Sequence, residues 1–185
     1  MKTKNFLLTG ALLIVALFSV NGVMAEGPSN TDNVTVNIKF TPIQTIEVNG
    51  SNEVNFVYDN IETYQSGASD QFIEKHLKIN SSGPFEVNVV STGFTGGLSG
   101  MTIPLSDVEV QVVNTTGYTG AGIEAPLPLS ATKETLFTST VGGMNLEFDV
   151  TYSNPGGENG KYLEGYLKGE EVTYTADVTY EIIAN

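Results

Sequence analysis

The sequence predicts an all-β fold, an antiparallel β-sandwich of immunoglobulin-like or jelly-roll-like kind. Three observations carry that prediction. Apolar and polar residues alternate with period two in stretch after stretch, the pattern of strands with one wet face. Gly, Asn, Ser and Pro cluster between those stretches, as turns between short strands do. The chain closes on the clearest case: Val172, Tyr174, Ala176, Val178, Tyr180 and Ile182 alternate without a break against Thr173, Thr175, Asp177, Thr179 and Glu181. Such stretches number about nine, and helical periodicity is almost absent.

The first element is a leader. Lys2 and Lys4 give a positive start, Phe6 to Val20 is apolar, and Val23-Met24-Ala25 ends on small residues. That is the layout of a secretory signal peptide cleaved after Ala25. A spanning helix needs about 20 apolar residues, more than this run supplies. No second apolar run follows, so no stable membrane insertion is expected once the leader is removed. Residues 26–33 form a flexible lead, and residues 34–185 a single sandwich domain.

Strands follow in order. Val34, Val36, Ile38 and Phe40 alternate with Thr35, Asn37 and Lys39, which predicts a half-buried strand. After Pro42, Ile43 to Val48 is extended. Asn49-Gly50-Ser51-Asn52 is turn chemistry, and Val54, Phe56 and Tyr58 then predict the second arm of a hairpin. Asp59 to Gln71 reads as a loop. Phe72 to Asn80 reads as a strand, and Phe85, Val87 and Val89 form another beyond the Ser81-Ser82-Gly83-Pro84 turn. Val108, Val110 and Val112 alternate in the next strand, between two Gly/Thr-rich connections. Pro126 and Pro128 confine their segment to an edge or a loop. Leu136 to Val141 is a strand, and Leu146, Phe148, Val150 and Tyr152 give one more. Asn154 to Gly160 reads as an exposed loop.

Composition narrows the chemistry. The chain has no Cys, which removes thiolate zinc sites, iron–sulfur clusters and cysteine nucleophiles. It holds 8 basic residues, all Lys, against 21 acids. Such a surface repels nucleic acid and anionic lipid. Without Arg there is no bidentate clamp for phosphate or carboxylate substrates.

No catalytic machinery is expected. His76 is the single histidine, flanked by Glu74, Lys75 and Lys78, and reads as an exposed surface residue. The pairs Glu147/Asp149 and Asp107/Glu109 place two carboxylates on one strand face, roughly 7 Å apart. Acid–base work needs two such groups, but both pairs fall on the polar phase and read as solvated sheet face. Two loops offer oxygen donors for a hard cation such as calcium: Asp59, Asn60 and Glu62 in one, Asn154, Glu158 and Asn159 in the other. Neither follows a twelve-residue calcium loop. Tyr162 and Tyr166 are candidate contacts for sugar or protein, against packing beneath a loop.

The signal peptide, Val34-Thr35-Val36-Asn37-Ile38, the Gly/Thr/Ser-rich loops and the closing run Tyr174 to Ile183 resemble small bacterial surface β-sandwich proteins. These are grouped with spore-coat-U-like fimbrial subunits and WxL-like surface domains. The chain lacks the Trp of the WxL signature and the disulfide often seen in fimbrial subunits. The resemblance implies a secreted protein of the periplasm, cell surface or extracellular space, with a role in adhesion or assembly. Two expectations follow. One is a structural or adhesive subunit that pairs Val34–Phe40 with a sheet edge on another subunit or a second copy. The other is a monomeric module that binds a glycan or a protein through loops, with or without calcium.

Overall fold

The computed structural model describes residues 32–97, 101–115, 118, 121–123, 125–163 and 171–185. The expected leader, most of the flexible lead, and Tyr166 lie outside them. The chain divides into two units, residues 1–39 and 40–185. In the first, residues 32–39 form neither helix nor strand.

The second unit is all-β, with eleven strands in three antiparallel sheets among the described residues. The five-stranded sheet has the order β1-β2-β9-β5-β7, where β1 is Gln44–Val48, β2 Gln71–Ser81, β5 Glu109–Thr115, β7 Leu127–Pro128 and β9 Gly143–Ser153. The four-stranded sheet has the order β11-β3-β8-β6, with β3 Phe85–Ser91, β6 Ala121–Ile123, β8 Glu134–Ser139 and β11 Val178–Ala184. A small ribbon pairs β4 (Thr95–Gly96) with β10 (Tyr174–Thr175). The one α-helix among the described residues, α1, spans Ile61–Ser66.

Period two explains the core. Val87 and Val89 of β3, Val110 and Val112 of β5, and Phe148, Val150 and Tyr152 of β9 all turn inward and are buried. Phe137 of β8 meets Phe148 of β9 with ring centroids 4.8 Å apart, so one aromatic contact ties the two large sheets together. β1 lies against β11 at one rim, and β5 against β6 and β8 at the other. Leu127-Pro128 forms a short edge strand, as its prolines require.

Several expectations are corrected. Val34–Phe40 is not a half-buried strand: it carries no ladder, and Val34, Val36, Ile38 and Phe40 are 87%, 80%, 78% and 89% exposed. Residues 51–59 form no second hairpin arm. Val54 and Phe56 still pack on the core, but β1 takes β2 as its partner. The loop after Asp59 contains α1, whose start is set by a capping box: Asn60 Oδ1 accepts the Thr63 N–H at 3.0 Å, and Thr63 Oγ1 faces the Asn60 N–H. The closing run is divided. Its burial alternates from Val172 to Ile182, yet β10 pairs with β4 and β11 with β3. Between them, Asp177 bonds Thr92 through its carbonyl and amide.

The largest irregularity is in β2. Ile73 faces Val150 and Leu77 faces Phe148, so three residues of β2 oppose Asp149 alone. Lys75 takes a positive φ of 53° in this bulge. Its amide points away from the ladder and donates to Asp149 Oδ1 at 2.7 Å. Ile73, Leu77 and Ile79 keep one phase toward the core across the bulge, and the irregular backbone within it turns His76 inward as well.

Candidate functional site

Three regions hold the residues to which the sequence draws attention: the bulge with His76, the loop end of the sandwich, and the rim between β1 and β11.

His76 is not a surface residue; it is 3% exposed. Its Nδ1 lies 2.9 Å from the Asn49 carbonyl, which can only accept, so the proton belongs on Nδ1. Nε2 then accepts from the Tyr152 hydroxyl at 3.2 Å, and Tyr152 in turn bonds the Tyr180 hydroxyl. Both tyrosine rings pack edge-on against the imidazole. The chain of bonds runs from β11 through β9 to the end of β1, joining both sheets. Burial lowers the His76 pKa, with the Asn49 carbonyl opposing that shift in part. Burial raises Tyr152 and Tyr180. Each group is therefore held neutral.

A pH dependence follows. An unfolded His titrates near about 6.5. The folded value is lower, so between the two the unfolded chain binds a proton that the native state refuses. Stability contributed by neutral His76 is complete above the unfolded pKa and is lost as pH falls toward the folded one. Urea unfolding at pH 7.5 and 5.5 should show this loss in the parent and less of it in His76→Gln. Equal slopes in the two proteins would refute it.

Asp149 and Asp107 do not lie on a solvated sheet face. Asp149 is 4% exposed because its carboxylate caps the bulge. Its neighbour Glu147 stays nearer solvent and pairs with Lys75 at 3.0 Å. Asp107 is 5% exposed and ends a short 3-10 turn, Leu105–Asp107. There it receives Lys161 Nζ at 2.6 Å and the Tyr162 hydroxyl at 2.8 Å. Burial first, then the hydrogen bond to Asp107, pushes the Tyr162 pKa well up.

This cluster stands at one end of the sandwich, where the two candidate cation loops meet. The Asn159 amide donates to the Gln65 carbonyl at 2.9 Å and the Gly160 amide to Tyr64 at 2.6 Å. Tyr58, Tyr64 and Tyr162 stack beneath, with centroids 5.4 and 5.3 Å from Tyr58. Gly157 is required here: any Cβ would collide with the Tyr58 hydroxyl. That hydroxyl is buried and has no hydrogen-bond partner in good geometry among the described residues; burial raises its pKa, and the Ala68 amide opposes that shift in part.

The candidate donors are largely committed to local structure. Asp59 Oδ1 accepts from Asn60 Nδ2 at 2.7 Å, and Asn60 caps α1. Glu62 lies in the first turn of α1, favourable to the helix dipole. Asn154 is buried, against the expectation of a wholly exposed loop, with the Tyr162 hydroxyl 3.4 Å from its Oδ1. Glu158 is exposed and its stem packs against Gly67. Among the described residues, no three Asp, Glu or His side chains converge to hold a metal ion. Tyr162 is buried rather than presented to a ligand. The structure thus brings the two loops and Tyr162 together, as a packed and hydrogen-bonded end.

The rim differs. β1 and β11 are terminal strands of their sheets. Ile43, Val48 and Ile183 are 49%, 45% and 39% exposed there. Ile46, Val178, Tyr180 and Ile182 pack on the core but are only partly buried. This seam leaves no mark in the sequence pattern, because alternation shows which face of a strand is buried and not whether its edge is paired.

No protein-family model matches the chain, and no curated protein matches it. Among the described residues, no helix is long and apolar enough to cross a membrane.

Proposed function

We propose that this chain is an exported, non-catalytic structural or adhesive subunit of the cell surface or extracellular space, which assembles by β-strand addition. The observation that carries this reading is residues 34–40. Their period-two pattern is that of a half-buried strand, yet they form none and expose all four apolar side chains. Such a segment gains backbone bonds and apolar cover by joining a sheet edge, with alternate side chains setting register. The spent state of the polar groups supports a non-catalytic role: His76, Asp107 and Asp149 are buried in structural hydrogen bonds.

Size-exclusion chromatography with light scattering tests it, on residues 26–185 beside a version lacking residues 26–40. The expected result is assembly of the longer chain, lost on truncation while circular dichroism shows the sheets intact. A monomer at high concentration, with residues 34–40 protected from hydrogen exchange, would refute it.

A further inference from the structure

Two sheet edges meet at one rim without bonding each other. Their free groups follow from the register. The Ser82 amide donates to the Ile43 carbonyl at 2.9 Å, and the Asn49 amide to the His76 carbonyl at 2.7 Å. Bonded and non-bonded positions alternate in an antiparallel pair. Thr45 and Glu47 therefore bond β2, while the amides and carbonyls of Gln44, Ile46 and Val48 point outward. On β11, the Thr92 amide donates to the Asp177 carbonyl and the Asn185 amide to the Pro84 carbonyl. By the same alternation, the backbone groups of Val178, Tyr180, Ile182 and Ala184 face away from β3.

Open edges are commonly blunted by proline, bulges or very short strands. The opposite rim is treated in this way. β7 covers only Glu109 and Val110 of β5 and contains Pro128, β5 is bulged between Val112 and Asn114, and β6 has three residues. β1 and β11 have no proline, and neither pairing shifts register. They form a straight, partly apolar edge pair.

We infer that the β1/β11 rim of one copy receives residues 34–40 of a second copy, added as a strand antiparallel to β11. This rests on the assembly proposed above. The seven residues of Val34–Phe40 match the seven of β11. The segment carries Lys39 and no acid, whereas the edge strand β1 carries Glu47; Glu181 of β11 is already paired with Lys133. A second copy is favoured over a hairpin within one chain by Thr41-Pro42. A two-residue turn onto β1 needs positive φ at its first position, or at both. Proline is locked near about −65°, and β-branched Thr resists positive φ.

The absence of cysteine makes the test direct, since each single-cysteine variant holds one thiol. Asn37→Cys chains are mixed under mild oxidation with Glu181→Cys, with Thr179→Cys, or with Gln111→Cys at the opposite rim. Heterodimers through β11 and not through Gln111 are expected. In parallel, Ala184→Pro removes an outward amide of β11 only and should weaken assembly at least tenfold, with circular dichroism unchanged. Crosslinking through Gln111 alone, or through none of the three while the parent assembles, overturns the rim and leaves the assembly standing. A parent chain that stays monomeric overturns both.

Discussion

Phe148→Ala should cost about 3–5 kcal/mol of stability, the range for truncating a buried phenylalanine. The ring is fully buried, packed 4.8 Å from Phe137 across the sandwich and 6.0 Å from Tyr118. It stands on β9, the middle strand of the five-stranded sheet, so its loss opens a cavity between sheets that strands on both sides hold apart. Domains of this size have only about 5–15 kcal/mol in total. A fall in the urea midpoint with little change in slope is the expected result. A loss below about 1 kcal/mol would mean the sheets collapse onto the gap.

Asp107→Ala should cost about 1–3 kcal/mol, chiefly by removing the short acceptor of the buried Tyr162 hydroxyl and leaving it only Asn154 Oδ1 at 3.4 Å. The Lys161 ion pair adds little, because that side chain is 45% exposed and returns to water. The damage is local, so it is best read by proteolysis at Lys161. Each 1.4 kcal/mol of easier opening raises cleavage by trypsin about tenfold when opening is fast. Tyr162→Phe separates the two contributions: Asp107 keeps Lys161, and the hydroxyl leaves with its need for a partner. Equal cleavage of parent and Asp107→Ala would show that the turn does not hold this loop.

The long strands were legible in the sequence because their burial follows period two. β3, β5 and β9 place their alternating valines and aromatics inward as expected. β4, β6 and β7 span only two or three residues, too few to show a period, whereas the two residues of β10 fall inside the alternating closing run. The capping signal of α1 was present in Asn60 and Thr63, but only six helical residues follow, too few for an amphipathic stripe. The bulge was hidden. Its positive φ falls on Lys75 rather than on Gly or Asn, and its anchor, Asp149, lies 74 residues away. His76 was consequently assigned to the wrong face. The acidic loops were legible as oxygen donors but not as caps, since Asn and Asp side chains satisfy nearby backbone amides as readily as they bind cations. Residues 34–40 and β11 are equally good strands by pattern. What separates them is a partner, and no single segment records that.

The order of the strands also sets an order in time. β3 (Phe85–Ser91) sits between β8 and β11, and β11 (Val178–Ala184) follows every other strand of its sheet in sequence. A chain growing from its N-terminus makes β3 early, pairs one side of it with β8, and leaves the other side open until β11 emerges. Pairing of such distant segments is slow and leaves strand edges exposed meanwhile. A messenger with a stop codon before Val178 would fix the protein in that interval, with β3 itself as a permanent docking edge for its neighbours.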